Sequence, residues 1–540
     1  MKSGKPGKSN WAFKLALFAL GAGLLLWPVG AEASTPRQHR IGDIGFHGGI
    51  AETRHLPRTT ETIILQQGNN RNNNATITME YREFVFMDFV PELFEGTMEV
   101  RNGSPSPGQT AGTFRVEHRV FPNVSSPDGG VRINRTMIFD VDYRIEGNNM
   151  IYTYNINRNS WRETIAFRGL DGEEFADTYT YVLDFNRSSF WVSVIEDRTP
   201  GVNYYRGIIS ARLFYTEFNP DGDATGRVVS VDKTGEFYGF SSAFSATETH
   251  RVDVTISDGQ EAMTYQIRPS VTVNKIMQFR SNEPTIISFE GNFQELHQSF
   301  AGLRYDIFTR PTRLWHEPLF GAANLDTFNV FEQLPAPNMA HIRGHSAEDD
   351  IHRLFAMQIL QGDTRFFLPD QAITRGQFMT ALARAINLPV EEPPAQRGRQ
   401  APTHIFSDVS TERPEFRYIQ AIHANRVAFG RADGSFNFDS PISRQEAVST
   451  MVRALGLSNL SANLTVLSPF ADSGDIANWA MQYTNTALGL GLIAPDANGN
   501  FHPNMALSNA QAATFLNTMI NFLREGIVTH YADEIVNVIR

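Results

Sequence analysis

The sequence predicts a multidomain protein in which an N-terminal all-β region is followed by an all-α bundle of three repeats. Its 540 residues exceed the size of one ordinary domain. Apolar residues alternate with a period of two from about residue 60 to 310, and the period is then 3.6 as far as about residue 525. We therefore expect an antiparallel sandwich or barrel-like sheet over residues 34–315, a linker over 316–340, and helices beyond it.

The first 33 residues have the three parts of a secretory signal peptide. Four Lys residues lie before position 15, the apolar run Leu15–Trp27 follows, and Ala31-Glu32-Ala33 supplies a small-x-small cleavage pattern. An uncleaved membrane anchor is the alternative, but the run has about 13 residues and a spanning helix needs ~20. The pattern predicts cleavage after Ala33 and a secreted mature chain without a transmembrane anchor.

The composition argues against two classes of protein. With 58 acidic and 47 basic residues the net charge is −11, which disfavours a nucleic-acid partner. The chain has no Cys, so it is not a disulfide scaffold. Beyond residue 33 only Lys233 and Lys275 accompany the Arg residues, and Arg can pair with a carboxylate through two parallel hydrogen bonds.

The clearest β signal is a hairpin between residues 137 and 156. Met137–Ile145 alternates apolar with polar residues, the turn Glu146–Asn149 follows, and the alternation resumes at Tyr152–Ile156. The same pattern predicts strands at Glu83–Val90, Thr178–Phe185, Phe190–Glu196, Gly207–Glu217, Val252–Ser257 and Tyr265–Val273. Together they predict a large, mostly antiparallel sheet.

One loop of this region is a candidate calcium site. Asn219–Thr225 places side-chain oxygens at alternate positions, as a calcium-binding loop does. Its sixth position is not Gly, and Ser230 stands where a bidentate Glu would close the site, so a hairpin turn is the better interpretation. The sequence predicts no metal and no cofactor.

A threefold internal repeat fills the helical part. In each unit a Phe precedes an Ile or Leu by six positions, and a Thr or Ser follows directly. The aligned strings are Phe367-Leu368-Pro369 with Ile373-Thr374-Arg375, Phe436-Asn437-Phe438 with Ile442-Ser443-Arg444, and Phe501-His502-Pro503 with Leu507-Ser508-Asn509. A unit of this size cannot bury its own apolar face, so the three units must pack together.

Each unit has the pattern of two helices joined by a turn. The first helix is expected to end, in the three units, at Gly362, Gly430 and Pro495. The aligned Phe then enters the core. The N-cap position of the second helix falls on Thr374, Ser443 and Ser508. Glu446 stands three residues after the second of these caps, which is the capping-box spacing.

These units resemble the S-layer homology family. The opening Phe-x-Asp of that family is matched by Phe406-Ser407-Asp408 and Phe470-Ala471-Asp472. Its second-helix motif Ile-Thr-Arg-Ala-Glu is approximated by Ile373-Thr374-Arg375-Gly376 and Ile442-Ser443-Arg444-Gln445-Glu446. The resemblance gives three repeats, over residues 341–390, 404–460 and 468–525. The first repeat lacks a clear Phe-x-Asp, and the third has Asn509 where the motif has Arg.

The resemblance implies a three-pronged bundle that binds secondary cell-wall polymers, typically pyruvylated ones, in grooves between neighbouring repeats. Modified peptidoglycan is the alternative ligand. The polysaccharide-binding residues that it indicates are Arg375, Arg444, Thr374, Ser443 and Gly434.

The chemistry of these residues agrees with an acidic ligand. A pyruvate ketal carries a planar carboxylate, which Arg binds with two hydrogen bonds. Free N–H groups at the start of the second helix would also favour an anion. The alternative role for Arg375 and Arg444 is an ion pair within the bundle. Asn509 supplies no charge, so the third groove is expected to be weak or empty.

The role of the β region is open between three interpretations. No catalytic nucleophile, zinc or phosphate-loop motif is present, so we favour a non-catalytic surface-layer module, for which self-assembly would be evidence. A carbohydrate-binding module and a wall-anchored polysaccharide-active enzyme are the alternatives. Paired carboxylates such as Asp140 and Asp142 could serve a glycosidase. In each case the predicted location is the cell wall, at the cell surface.

Overall fold

The computed structural model describes most of the chain between residues 48 and 527. The described segments are residues 48–51, 76–86, 89–103, 109–122, 130–147, 149–156, 160–171, 174–279, 293–314, 318–325, 329–335, 337–388, 390, 405–458 and 468–527. The predicted signal peptide, residues 1–33, lies outside them. Within these segments, every helix is too short or too polar to cross a membrane.

The predicted order of a β region followed by helical repeats is confirmed. The described residues of the β region form one antiparallel sheet of 16 strands. The strands are β1 Gly49–Ala51, β2 Thr76–Val85, β3 Glu92–Asn102, β4 Ala111–Pro122, β5 Val131–Glu146, β6 Asn149–Ile156, β7 Arg162–Asp171, β8 Glu174–Leu183, β9 Ser189–Arg198, β10 Val202–Phe218, β11 Ala224–Ser242, β12 Ser245–Ser257, β13 Ala262–Phe279, β14 Phe293–Thr309, β15 Phe320–Leu325 and β16 Asn329–Leu334. The predicted hairpin is β5–β6. Residues 219–223 of the loop Asn219–Thr225 form the turn between β10 and β11, and its last two residues begin β11.

The sheet is a meander with two branches, one at β5 and one at β14. Strands β1 to β6 are neighbours in order, β6 pairs with β9, and β9 to β15 continue in order. Residues 139–146 of β5 pair with β6, whereas residues 131–136 of the same strand pair with β7. The pair β7–β8 then returns to β10. The sheet curls so that β1 contacts β13 and β14, and β15 contacts β2.

The prediction of a linker over residues 316–340 is wrong. Strands β15 and β16 lie there and pair with residues 301–306 and 293–298 of β14. Pro318 and Pro335 lie just outside the two strands, where a missing N–H breaks no ladder. The strands have only six residues each, and they take their register from β14 rather than from a strong alternation of their own.

A buried charged network crosses the interior of the curled sheet. The Arg135 guanidinium, on β5, donates to the Glu83 carboxylate of β2 at 2.8 Å and to the Glu163 carboxylate of β7 at 2.6 Å. The Tyr81 hydroxyl donates to Glu83 at 2.9 Å, and the Trp161 indole donates to Glu163 at 3.2 Å. Burial lowers the pKa of Arg135, but its attraction to the two carboxylates outweighs burial and keeps that pKa well above the ordinary value.

The helical part consists of three pairs of helices. They are α1 Glu348–Ala356 with α2 Arg375–Ala385, α3 Phe416–Ala424 with α4 Arg444–Ala454, and α5 Asn478–Gly489 with α6 Asn509–Asn521. The predicted N-caps are confirmed, and each belongs to a full capping box that uses Gln377, Glu446 and Gln511.

The predicted ends of the first helices are wrong by six residues. The three helices end six residues before Gly362, Gly430 and Pro495. The chain leaves each helix through a left-handed residue, namely Gln358, Arg426 and Gly491. Phe436 and Phe501 enter the core as predicted, but Phe367 is only partly buried at its edge.

A closed triangle of backbone hydrogen bonds joins the repeats. The Ile373 N–H donates to the Leu507 carbonyl at 3.0 Å, Leu507 donates to Ile442 at 3.0 Å, and Ile442 donates to Ile373 at 3.2 Å. Around this centre the second helix of each repeat packs on the first helix of the next, so α2 packs on α3, α4 on α5 and α6 on α1. Each repeat therefore depends on its neighbours for helix packing and for backbone hydrogen bonds.

The β region shares a core with the bundle. Val202 and Phe244 of the sheet are buried in the bundle's apolar cluster. The last carbonyls of α4 are satisfied from the sheet, because the Gly201 N–H donates to Ala454 at 2.7 Å and the Tyr204 hydroxyl donates to Leu455 at 3.3 Å. The two parts of the chain therefore form one packed unit.

The buried network predicts a large cost for one substitution. Arg135→Met leaves two carboxylates buried without their cation, so the free energy of unfolding should fall by about 3–5 kcal/mol. Arg132→Met is the matched control, because Arg132 lies on the same strand but pairs with Asp177 at the surface, where a pair contributes roughly 0–1 kcal/mol. Urea unfolding of the full chain, followed by Trp fluorescence, measures both. Equal losses in the two variants would contradict the role of the network.

Candidate functional site

The first backbone N–H groups of each second helix already donate hydrogen bonds to carbonyls of another repeat. The Arg375 and Gly376 N–H groups of α2 donate to the carbonyls of Ser440 and Phe438, at 2.8 and 2.9 Å. The equivalent groups of α4 donate to the carbonyls of Met505 and Pro503, and those of α6 donate to the carbonyls of Gln371 and Pro369. The expectation that free helix N–H groups help to bind an anion is therefore wrong, because the turn of the next repeat uses them.

Three of the predicted binding residues have a structural use of their own. The Thr374 hydroxyl accepts from the Gln377 N–H, and the Ser443 hydroxyl accepts from the Glu446 N–H and also donates to the Glu446 carboxylate. Gly434 lies in the exposed turn of the second repeat with a φ of 81°, and its carbonyl accepts from Ser407. A left-handed φ of this size favours Gly.

The Asp of each Phe-x-Asp motif holds the turn below the groove. The Asp408 carboxylate accepts from the N–H groups of Phe436 and Phe438, at 2.7 and 2.8 Å. Asp472 accepts from Phe501 and His502 in the same way, at 2.8 and 2.6 Å. Burial raises the pKa of each carboxyl, but these backbone donors outweigh it, so both pKa values lie below the ordinary range. The motif was recognised in the sequence, but this function was not assigned to it.

In the groove between repeats one and two, which we call the first groove, Arg375 is paired. Its guanidinium donates to the Glu446 carboxylate at 3.1 Å and to the Phe429 carbonyl at 3.0 Å, and it lies over the Phe436 ring at 5.0 Å. Only 12% of the side chain is exposed. The alternative role considered for this residue, an ion pair within the bundle, is therefore present.

Two further Arg residues make the first groove positive, and sequence analysis missed both. Burial lowers the pKa of Arg375, Glu446 partly opposes this, and the charges of Arg431 and Arg453 lower that pKa further. Arg453 also lies over the exposed Phe429 ring, at 5.6 Å. The repeat alignment contained the signal, because Arg453 occupies the same position of α4 as Arg384 does of α2.

In the groove between repeats two and three, the second groove, Arg444 has no such partner. Its guanidinium lies between the rings of Phe501 and Phe515, at 5.4 and 5.1 Å. It makes no hydrogen bond or ion pair with the described residues, and its Nε is buried without an acceptor. Burial lowers the pKa of Arg444, and the more distant Asp472 and Asp496 only partly oppose this.

One residue of the capping box explains the difference between these two grooves. Glu446 caps α4 and also neutralises Arg375 of the preceding repeat. The corresponding cap residue of α6 is Gln511, which accepts from the Ser508 N–H but carries no charge to offset Arg444. The half-buried cation of the second groove therefore has no carboxylate partner among the described residues.

The groove between repeats three and one, the third groove, is neutral at the motif position. The Asn509 amide donates to the Leu368 carbonyl at 2.9 Å. Where α6 packs on α1, the Asp350 carboxylate of α1 accepts from the Thr514 hydroxyl at 2.7 Å and from the Asn517 amide at 3.2 Å. This arrangement closes the bundle without presenting a cation at the motif position.

The helical part matches the S-layer homology domain at residues 339–379, 405–448 and 469–513. The bundle thus contains three S-layer homology domains, and each matched range overlaps one of the predicted repeats.

Curated relatives match part of the chain. A "Cell surface protein" of Thermoanaerobacter kivui is 31% identical over 123 residues, which is 23% of this chain and 16% of the relative. "S-layer protein EA1" of Bacillus anthracis is 28% identical over 174 residues, 32% of this chain and 19% of the relative. An "Amylopullulanase" of Thermoanaerobacterium thermosulfurigenes is 25% identical over 200 residues, 36% of this chain and 10% of the relative.

The chain thus covers less than a fifth of the length of each of these relatives. The three domains and the two surface-protein relatives together identify a cell-surface protein that is anchored through its S-layer homology domains.

The Asp-held turns predict a pH-dependent contribution to the stability of the bundle. Because the folded pKa of Asp472 is depressed, its contribution is complete above the unfolded pKa of about 3.9 and is lost as pH falls through the folded pKa. Asp472→Asn should therefore cost about 1–3 kcal/mol near pH 7 and less near pH 2. Urea titration of the helical circular-dichroism signal measures this.

Asp439→Asn is the control, because Asp439 is exposed and only pairs with Arg413. It should change stability little at either pH. A cost for Asp472→Asn that is as large near pH 2 as near pH 7 would contradict the proposed role of the carboxylate.

Proposed function

We propose that the bundle holds the protein on the cell wall by binding an acidic wall polysaccharide, chiefly in the second groove. The observation that carries this proposal is Arg444, a half-buried guanidinium between two Phe rings without a carboxylate partner among the described residues. A buried cation is costly unless it is paired, so an anion that reached this site would be bound strongly.

The shape of the guanidinium and its surroundings supports a carboxylated sugar as the ligand. A planar carboxylate, such as that of a pyruvate ketal, can accept two hydrogen bonds from Arg444. The neighbouring rings of Phe501 and Phe515 offer apolar surface for the face of a sugar. Secondary cell-wall polymer is the ligand we favour, and modified peptidoglycan is the alternative.

The first groove binds in a different way. Arg375 is held by Glu446, so a ligand there must compete with an ion pair that is already made. Arg431 and Arg453 add positive charge beside it, and the Arg431 side chain is exposed. We therefore assign the first groove a secondary, electrostatic contribution and the third groove none.

We propose that the β region is displayed without catalysis, as a module of a surface layer. The paired carboxylates that left a glycosidase as an alternative bind neighbouring side chains on the surface of the sheet. Asp142 accepts from the Thr113 hydroxyl at 2.6 Å and from the Asn155 amide at 3.0 Å, and Asp140 pairs with Arg115 at 3.5 Å. Incubation of the protein with purified wall polysaccharide should release no new reducing ends.

The anchoring proposal is tested by the binding of the full chain to isolated cell walls. The full chain is required because the sheet completes the core of the bundle. Arg444→Gln should weaken binding roughly tenfold to hundredfold, the cost of losing charged hydrogen bonds, while the melting temperature stays unchanged. Arg375→Gln should lower the melting temperature as well, because it breaks the contact with Glu446.

The control is Arg413→Gln, which removes an exposed Arg of the same bundle that pairs with Asp439. It should bind walls like the unchanged protein. Walls from which the secondary polymers have been extracted should retain none of the proteins. Normal binding by a folded Arg444→Gln variant, or undiminished binding to the extracted walls, would overturn the proposal.

A further inference from the structure

A pocket of about 740 Å³ lies on one face of the sheet, across the five adjacent strands β9 to β13. Its volume suits a ligand of a few sugar units. The side chains on which the argument rests are Ile195, Arg206, Ile208, Glu236, Arg251 and Arg268. They belong to the β region and take no part in the grooves between the repeats.

The register of the strands places these side chains on one surface. Ile208 on β10 is opposite Glu236 on β11, which is opposite Arg251 on β12. Ile195 on β9 is opposite Arg206, two residues before Ile208 and hence on the same face. The alternating burial of these strands shows that this face is the outer one.

Positive charge dominates the pocket although the whole chain is acidic. Arg206 and Arg251 are exposed in the pocket lining and have no ion-pair or side-chain hydrogen-bond partner among the described residues, whereas the chain as a whole has a net charge of −11. Arg268 is held in place by the Gln266 amide oxygen at 2.7 Å and the Asp306 carboxylate at 3.0 Å. Glu236 is the one carboxylate in the lining.

Apolar side chains stand between these cations. Ile208 is 51% exposed and Ile195 is 37% exposed, which is unusual for residues of this type in a strand. Planar guanidinium groups beside apolar surface match a ligand that alternates carboxylates with the apolar faces of sugar rings.

We propose that this pocket is a second glycan site, which takes an acidic oligosaccharide and is independent of the anchoring bundle. Two sites on one rigid protein would let it hold two polymer chains, or two stretches of one chain, at the same time.

The test is calorimetric titration of the full chain with a hexamer of galacturonic acid, with maltohexaose as the neutral probe. We expect the acidic hexamer alone to bind. The double variant Arg206→Gln, Arg251→Gln should lose at least tenfold in affinity at one site. Arg212→Gln is the matched control, because Arg212 is exposed on the same strand but pairs with Asp232. It should leave binding unchanged. Arg444→Gln should also leave this site intact, which separates it from the anchoring grooves.

Several outcomes would overturn the proposal. They are unchanged binding by the folded double variant, equal binding of maltohexaose, displacement of the hexamer by inorganic phosphate at similar concentration, and loss of all binding on Arg444→Gln alone. The last result would assign every acidic-sugar contact to the bundle. Both pocket residues are exposed, so the melting temperature of the double variant should equal that of the control.

Discussion

The triangle of hydrogen bonds between Ile373, Ile442 and Leu507 is the contact on which the helical part depends. Each of these residues stands just before the N-cap of a second helix, so the triangle fixes where all three helices begin. It also brings the turn of one repeat against the helix start of another. A single repeat has neither the apolar surface nor the hydrogen-bond partners to form this arrangement alone. The grooves are consequently properties of pairs of repeats.

This constraint determines the charge of each groove. The N–H groups at each helix start are bonded to the next repeat, so the binding that we propose must use the side chain that follows the N-cap. Whether that side chain is available depends on the capping box of the next repeat. Glu446 neutralises Arg375, whereas the neutral Gln511 leaves Arg444 without a partner. The three grooves thereby differ in charge, because one holds an ion pair, one holds an Arg without a carboxylate partner among the described residues, and one has a neutral Asn at the motif position.

The sequence predicted what short-range patterns control. The β5–β6 hairpin and the caps at Thr374 and Ser443 depend on residues a few positions apart, and they are where the patterns placed them. The contacts that the sequence did not predict depend on residues far apart in the chain. Strands β15 and β16 gain their pairing from β14, and the burial of Tyr204 against the end of α4 has no local signature. The partner of Arg375 is Glu446, which lies in another repeat. The sequence therefore left both roles of Arg375 open, an ion pair within the bundle and contact with a ligand.

The most direct test of the closed bundle is hydrogen exchange at the three amides of the triangle in the full chain. Because each bond depends on the other two repeats, the amides of Ile373, Ile442 and Leu507 should exchange only through a common unfolding event. The three amides should then show the same free energy of exchange. This free energy should fall by the same amount for all three as urea is added. Clearly different free energies for the three amides would show that the repeats open independently, and would contradict the account.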